Sequence, residues 1–158
     1  MTSHIRVKAC ALIIEKGAVL LVEFKDEHGV HYNLPGGGVN PGETVKEAAC
    51  REAFEEASIE VEVGPLAFVY EYVPHLCHHK YGDTASLQLI FDCKCKDGSI
   101  PRRPEYPDMN QTDVKWIKLK NLKNVVLYPD VKETIILYNE CGTGSRLIEE
   151  PIERGFSD

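Results

Sequence analysis

The sequence predicts an α+β protein made mostly of strands, with two helices. Runs of apolar and β-branched residues recur along the chain and are separated by Gly, Pro and Asp. Two other segments begin with the spacing of a helix capping box. A chain of 158 residues with 43% apolar residues can bury a substantial core. We therefore expect one domain over residues 1–158.

The first predicted element is a β-hairpin. Residues 5–14 and 18–24 are apolar and rich in β-branched side chains, and Glu15-Lys16-Gly17 between them suits a tight turn. A short strand at residues 32–34 leads into a loop whose backbone can approach a ligand closely, because it is built from glycine and proline. Its members are Pro35, Gly36, Gly37, Gly38, Pro41 and Gly42.

The next predicted element is a helix over residues 45–57. Thr44 and Glu47 have the spacing of a capping box, in which each side chain bonds a free backbone N–H at the helix start. At about 100° per residue, one contiguous face of this helix is apolar and should pack on a sheet. That face comprises Ala49, Cys50, Ala53, Phe54 and Ala57.

Three carboxylates share an adjoining stripe of the same helix. Glu52, Glu55 and Glu56 have i, i+3 and i+4 spacing, so they can reach a common point. Like charges so placed repel by about 0.2–0.5 kcal/mol per i,i+4 pair, and a cation would reverse that sign. Hard oxygen ligands suit Mg²⁺ or Mn²⁺. A solvated helix face is the alternative interpretation, and the adjacent glycine loop favours the metal site.

The loop and helix together resemble a known motif. Their residues follow the spacing G-x(5)-E-x(7)-R-E-U-x-E-E-x-G-U, with U apolar, which is the Nudix box. The matching positions are Gly37, Glu43, Arg51, Glu52, Ala53, Glu55, Glu56 and Ile59. Ser58 stands where the family has glycine, and Ala53 is small for an apolar slot. Because glycine often ends a helix in the left-handed conformation, we expect Ser58 to carry that strain.

The resemblance implies a Nudix-type α/β/α sandwich with a mixed β-sheet between helices. It also implies that Glu52, Glu55 and Glu56 bind the catalytic cations, with the Gly37 carbonyl as a further ligand and Gly38 in the same loop. Arg51 and Glu43 would support loop and helix. The residues themselves place Arg51 one helical turn from Glu47 and Glu55, which favours a salt bridge. Two roles stay open for Glu43, which are to orient the loop or to coordinate a cation.

The implied activity is metal-assisted hydrolysis of a diphosphate bond in a nucleoside diphosphate linked to another moiety. The proton acceptor would be Glu52 first and Glu43 second. Glu105 and Asp108 are weaker candidates, because family members often draw a carboxylate from that region. Two alternatives are a nucleotide or ADP-ribose sensor without turnover and a pyrophosphohydrolase acting on RNA 5′ ends. Loss of a box carboxylate would favour the sensor, and none is lost.

Further strands are predicted at residues 59–63, 66–73, 84–95 and 113–119, with a bend at Gly64-Pro65. The proline-rich connection between the last two is expected to be irregular. Asp130 and Glu133 form a second predicted capping box, which opens a helix that runs to Asn139 and ends near Gly142. The tail from residue 145 to residue 158 carries no firm signal.

The loop at residues 74–83 is the second candidate for chemistry. His75, Cys77, His78 and His79 are potential zinc ligands, but their spacing fits no closed site. We therefore expect a mobile loop, which in this family borders the substrate pocket. A histidine or Tyr81 there could stack on a base, and simple solvent exposure is the alternative for each side chain.

The net charge of −7 argues against a long polyanion bound over an extended surface. Small phosphorylated nucleotides need only a few local cations. The candidates are Arg6, Lys8, Lys25, Arg102, Arg103 and Lys115.

The chain has no run of eighteen apolar residues, and its first residues lack the apolar core of a signal peptide. These features predict a cytoplasmic protein without a membrane partner. Its six cysteines should be reduced. Assembly as a homodimer is left open.

Overall fold

The computed structural model describes residues 4–142 and 146–152 of the chain. It contains eight strands and two α-helices within those ranges. The strands are β1 (Arg6–Glu15), β2 (Ala18–Asp26), β3 (Gly29–Asn33), β4 (Gly36–Gly38), β5 (Val61–Tyr72), β6 (Ser86–Cys95), β7 (Gln111–Lys118) and β8 (Arg146–Glu149). The helices are α1 (Val45–Ala57) and α2 (Lys132–Cys141), and two short 3₁₀ helices cover Pro74–Leu76 and Leu119–Asn124.

The strands form one mixed sheet in the order β3-β2-β1-β6-β5-β8, with β4 paired to β1 and β7 paired to β2. Strand β1 lies parallel to β6, and β5 lies parallel to β8, whereas the other pairs are antiparallel. The first half of β1 pairs with β4 and its end pairs with β2. The glycine loop is thereby held against the centre of the sheet.

The two helices cover opposite faces of this sheet. Alternate residues of β1 belong to different cores: Ala9, Ala11 and Ile13 pack with α1, whereas Cys10 and Leu12 belong to the cluster that contains Ile135 of α2. Alternation of this kind is what a strand buried on both faces requires. The predicted α/β/α layering with a mixed sheet is confirmed.

Helix α1 is confirmed with the predicted bounds and capping box, since Glu47 N donates to Thr44 Oγ1 and Thr44 N donates to Glu47 Oε2. The predicted apolar face is partly wrong. Phe54 is 58% exposed, and Glu56 is buried on the sheet side in its place. The small side chains Ala48, Ala49, Ala53 and Ala57 let the helix approach the sheet closely, so a carboxylate rather than an aromatic ring occupies the space that remains.

The capping box predicted for α2 is wrong. Val131 N donates to Pro129 O and places Val131 at the N-cap position, where no side chain caps the helix. Asp130 therefore precedes the cap, and its carboxylate lies 3.9 Å from Lys132 Nζ instead. The end of the helix is confirmed, because Gly142 has φ +63°.

Three features differ from the predicted strands. Residues 61–72 form one strand with two bulges rather than two segments. The glycine loop contains the short strand β4, and part of the C-terminal tail forms β8. The rest of that tail, from residue 153, lies outside the described residues. The connection before β7 has no regular structure over residues 96–110, as predicted.

Two further observations concern the whole described chain. All six cysteines are free thiols. Neither α-helix is long and apolar enough to cross a membrane.

Candidate active site

Glu56 is a carboxylate buried between α1 and the glycine loop. It is 6% exposed, and its Oε1 accepts a hydrogen bond of 2.8 Å from Gly36 N. Burial raises the pKa of Glu56 to about 8, and the nearby charges of Glu52, Asp108 and Glu55 act in the same direction. The structure therefore brings the carboxylates of Glu52, Glu55, Glu56 and Asp108 near one another, with Glu56 bound to the backbone of the glycine loop.

Glu52 lies beside the next glycine of the loop. A Cβ atom added to Gly37 would lie 2.5 Å from Glu52 Oε1, so the loop can approach this carboxylate only without a side chain there. Burial raises the pKa of the Glu52 carboxyl, and the Arg51 guanidinium opposes that shift. Gly38 is equally confined, since a Cβ there would lie 2.9 Å from Arg6 Nη2.

Arg51 connects the loop and the helix. Its guanidinium donates to both oxygens of Glu43, with Nε–Oε2 at 2.7 Å and Nη2–Oε1 at 3.0 Å. It also donates to Gly38 O at 2.9 Å, to Glu52 at 2.8 Å and to Glu55 at 3.2 Å. The salt bridge expected with Glu55 is present, whereas Glu47 bonds to the helix cap instead.

The contacts of Glu43 are those that its predicted orienting role would require. It accepts from Arg51 and from Asn40 N, and these bonds lower the pKa of the Glu43 carboxyl to about 2. Charge-assisted bidentate pairs of this kind fix geometry. Glu43 is therefore held as an anion that closes the loop onto α1.

The three carboxylates of α1 are the type of ligand that a hard divalent cation prefers. Glu52, Glu55 and Glu56 offer only oxygen ligands. The charges of Glu52 and Glu55 act unfavourably on Glu56, and a cation bound between the carboxylates would offset this repulsion. Within the described residues, however, no three acidic, thiol or imidazole side chains are arranged so that they could hold a metal ion. Glu52 and Glu55 instead both accept from Arg51 Nη1.

The irregular connection brings Asp108 to the carboxylates. Arg102 N donates to Ala57 O at 2.9 Å, which fastens the connection to the end of α1. The buried Gln111 side chain donates to Glu56 O at 2.8 Å and accepts from Asp108 N at 3.2 Å. Sequence reasoning missed Gln111, because a single glutamine at the start of a strand carries no recognisable pattern.

The three glycines of β4 and the carboxylates of Glu52, Glu55 and Glu56 line one cavity of about 1230 Å³. Glu105 and Asp108 line it with the box carboxylates, and so do four of the six candidate cations, Arg6, Lys8, Arg102 and Arg103. Lys25 does not line it, and Lys115 pairs with Glu23 at 2.7 Å elsewhere. A mixed carboxylate and guanidinium lining is suited to binding metal and phosphate together.

The floor of the cavity is a row of side chains across the sheet. The strand register places Lys8 opposite Gln88 and Gln88 opposite Tyr70. Burial and the neighbouring Arg6 lower the pKa of Lys8. The adjacent row contains Arg6, Ser86 and Tyr72. Each row therefore runs from a cation near the glycine loop to a tyrosine on β5.

Comparison with known proteins identifies the family. A family model for the NUDIX domain matches residues 3–137. The nucleoside triphosphatase NudI of Escherichia coli is 30% identical over 139 residues, covering 84% of this chain and 95% of NudI. The chain belongs to the Nudix family. It is thus a pyrophosphohydrolase of that family, in which divalent metal ions are generally used.

Solved structures agree with the Nudix fold. A NUDIX hydrolase from Nitrosomonas europaea superposes with a TM-score of 0.74 at 21% identity, covering 90% of this chain and 93% of that one. An ADP-ribose pyrophosphatase from Streptococcus suis gives a TM-score of 0.66 at 19% identity, covering 91% and 99%. At these identities the likeness establishes the fold alone.

The other end of the Nudix cavity is aromatic. The ring of Tyr81 lies 5.6 Å from those of Tyr72 and Tyr128, measured between centroids. Tyr72 Oη donates to Gly82 O at 2.7 Å and accepts from Tyr81 N at 3.0 Å, which holds the loop against β5. Sequence reasoning singled out Tyr81 and missed the other two rings.

The histidines of the same loop do not line the cavity. His79 Nδ1 lies 2.8 Å from Asp83 Oδ1, and both side chains are largely exposed. Cys77 is buried, with its Sγ 3.9 Å from Glu150 O. The loop instead contributes Tyr81, Gly82 and Asp83 to the cavity lining.

Proposed function

We propose that this Nudix enzyme uses a divalent cation to hydrolyse a diphosphate bond in a small nucleoside diphosphate derivative, by attack of water on a phosphorus atom. The observation that carries the proposal is the single cavity that joins acidic, cationic and aromatic groups. A nucleoside diphosphate derivative requires these three kinds of group, because a metal ion and cationic side chains bind the phosphates and an aromatic ring stacks on the base.

Glu52, Glu55 and Glu56 would hold Mg²⁺ or Mn²⁺, with the Gly37 carbonyl as a further ligand. A bound cation of this type neutralises phosphate charge and lowers the pKa of water. Arg51 keeps the loop and α1 together around these ligands through its bonds to Gly38 and Glu43. Removal of Arg51 would therefore loosen the ligands without removing one.

We assign the proton acceptor to Glu52. Glu52 lines the cavity beside Gly37, and burial raises its pKa toward the working pH, which suits a general base. The pKa of Glu56 is raised further, but Glu56 is nearly fully buried and its Oε1 already accepts from Gly36 N. Glu43 is poorly suited, because its bonds to Arg51 hold its pKa at about 2. Asp108 lies close enough to the carboxylates for its charge to act on Glu52 and Glu56, so it is the alternative to test.

Different parts of the substrate would bind at the two ends of the side-chain rows that cross the sheet. Arg6 and Lys8 lie next to the glycine loop and would meet the phosphates, while Arg102 and Arg103 reach the cavity from the irregular connection. The tyrosines would receive the base. This arrangement suits substrates of the size that NudI and the ADP-ribose pyrophosphatase take by their names, a nucleoside triphosphate and ADP-ribose.

A substrate panel tests the proposal. Nucleotide sugars, ADP-ribose, dinucleoside polyphosphates and (d)NTPs are incubated with Mg²⁺ or Mn²⁺, and the phosphate species released are identified by ³¹P NMR. Reaction in ¹⁸O-labelled water locates the attacked phosphorus from the isotope in the product. Cleavage of at least one member between two phosphorus atoms is expected. Tight binding of a nucleotide without any turnover would overturn the proposal in favour of a sensor.

A further inference from the structure

The C-terminal strand lies outside the part of the chain that matches the Nudix model, which ends at residue 137. It nevertheless extends the sheet, because β8 pairs in parallel with β5 over residues 146–149. Glu150 follows directly, and its N–H donates to Glu71 O at 3.0 Å. This segment thus reaches the strand that carries Tyr70 and Tyr72 of the cavity.

Glu150 is a buried carboxylate with defined partners. It is 8% exposed, its Oε2 accepts from Tyr70 Oη at 3.0 Å, and its Oε1 lies 3.6 Å from Lys80 Nζ. An ionised carboxylate is costly to bury unless it is paired and hydrogen-bonded. A strand added only to cover a sheet edge has no need of such a group. The contacts of Glu150 with Tyr70 and Lys80 therefore indicate a role beyond covering the sheet edge.

Lys80 connects Glu150 to the cavity. Its ammonium group lies 5.2 Å from the centre of the Tyr81 ring, within the range of a cation–π interaction. Tyr81 lines the cavity and contacts the rings of Tyr72 and Tyr128. The other partner of Glu150, Tyr70, also lines the cavity. One buried carboxylate thus holds both the loop and the floor of the aromatic end.

We propose that Glu150 is a positioning residue for substrate binding, which fixes Tyr81 against the cavity through Lys80. The proposal rests on the proposed function in one respect, namely that the tyrosine end receives part of the substrate. Its structural half, the connection from Glu150 to Tyr81, is independent of any activity. An enzyme that lacked this connection would keep the hydrogen bonds of Tyr72 to the loop but lose the charge that holds Lys80 beside Tyr81.

The test uses Glu150→Gln in the full chain, with Glu149→Gln as the matched control. Glu149 is adjacent, acidic and exposed, and it makes none of these contacts. Glutamine keeps an acceptor for Tyr70 but loses the charge that attracts Lys80. We expect KM to rise about tenfold, because the ion pair with Lys80 is lost, with kcat within about twofold. The control should match the wild-type enzyme in both constants.

A double-mutant cycle distinguishes positioning from a merely structural role. If Glu150 acts through Tyr81, then Tyr81→Ala and Glu150→Gln combined should raise KM no more than Tyr81→Ala alone. Additive effects on KM would overturn the proposal. So would a lowered melting temperature in Glu150→Gln with KM unchanged, because that result shows an anchor for β8 and nothing more.

A measurement without substrate separates this proposal from the proposed function. The aromatic resonances of ¹³C-labelled tyrosine are recorded in ligand-free protein, with Tyr81→Phe used to assign the Tyr81 signal. Glu150→Gln should shift that signal. Lys80→Met, at a half-exposed position, should shift it likewise if Glu150→Gln fails to fold. An unmoved Tyr81 signal in Lys80→Met would overturn the connection. A shifted signal in a protein that cleaves no nucleotide would refute only the proposed function.

Discussion

The two ends of the cavity differ in how they are held. At the carboxylate end, Arg51 alone makes hydrogen bonds to three carboxylates and one backbone carbonyl. At the tyrosine end, ring contacts at 5.6 Å and a few hydrogen bonds join residues from separate segments. Interactions that stabilise only the transition state change kcat, whereas uniform binding changes KM. We therefore expect changes at the carboxylate end to lower kcat, and changes at the tyrosine end to raise KM.

Removal of the divalent cation should have the largest effect, since the proposed function makes the carboxylate end act through that cation. We expect exhaustive chelation with EDTA to abolish turnover, and Mg²⁺ or Mn²⁺ to restore it. Phosphate release from the best substrate is the measurement, with the circular dichroism spectrum as a control for folding. Turnover that persisted after chelation would remove the assignment of chemistry to this end.

The carboxylate end could be predicted from the sequence because its parts are close along the chain. A capping box sets the phase of α1, and the phase places Glu52, Glu55 and Glu56 relative to the glycine loop. The prediction failed for Phe54, because helical periodicity gives neighbours on a face but not the distance to the sheet. Alanines make the closest packing on the sheet, and the Phe54 ring is 58% exposed where it lines the cavity.

Apart from Tyr81, the tyrosine end could not be predicted, because its contacts are long-range. Tyr72, Tyr81 and Tyr128 come from a strand, a loop and the segment before α2, and only the sheet order brings them together. Glu150 and Gln111 are harder still, since each is a single polar residue whose role depends on distant partners. Sequence patterns report local geometry, and these positions are defined by tertiary packing.

Tyr81→Ala tests the binding role of the tyrosine end. We expect KM to rise about tenfold and kcat to stay within about threefold, because stacking is lost but the carboxylates are untouched. Tyr81→Phe is the matched control and should retain most of the affinity, since it keeps the ring. A fall in kcat equal to the change in kcat/KM would show that Tyr81 acts in the transition state.

Burial of Glu56 should be visible in stability as well as activity. In metal-free protein the folded carboxyl has a pKa of about 8, against an ordinary value of 4.5. The folded state therefore holds a proton that the unfolded state has released, and stability falls as pH rises from 4.5 through 8. In Glu56→Gln this loss of stability at high pH should be absent, because glutamine does not titrate.

We expect the melting temperature of Glu56→Gln to exceed that of the wild-type protein by a few degrees at pH 9, with a much smaller difference at pH 5. Thermal denaturation at both pH values in EDTA gives the comparison. Glu62→Gln, at an exposed position, is the control and should show no such trend. Equal differences at the two pH values would contradict the burial argument.

Ser58→Gly should produce the smallest effect. Ser58 ends α1 with φ 55° and ψ 30°, the left-handed conformation expected from its place in the Nudix box. Glycine removes a strain of roughly 1–2 kcal/mol, and the freer unfolded chain offsets about 0.4–1 kcal/mol of that gain. The melting temperature should rise slightly or stay level. A clear decrease would mean that the serine side chain stabilises this helix end.

The most direct test of the division between the two ends is kcat of Glu55→Gln at saturating substrate and Mg²⁺. Glu55 is the best choice among the three carboxylates because its side chain is 54% exposed, so glutamine should leave the fold and the melting temperature intact. We predict that kcat falls by at least about a hundredfold, as expected for loss of a metal ligand on which the transition state depends. Near-wild-type kcat in a folded Glu55→Gln protein would contradict the assignment of chemistry to the carboxylate end.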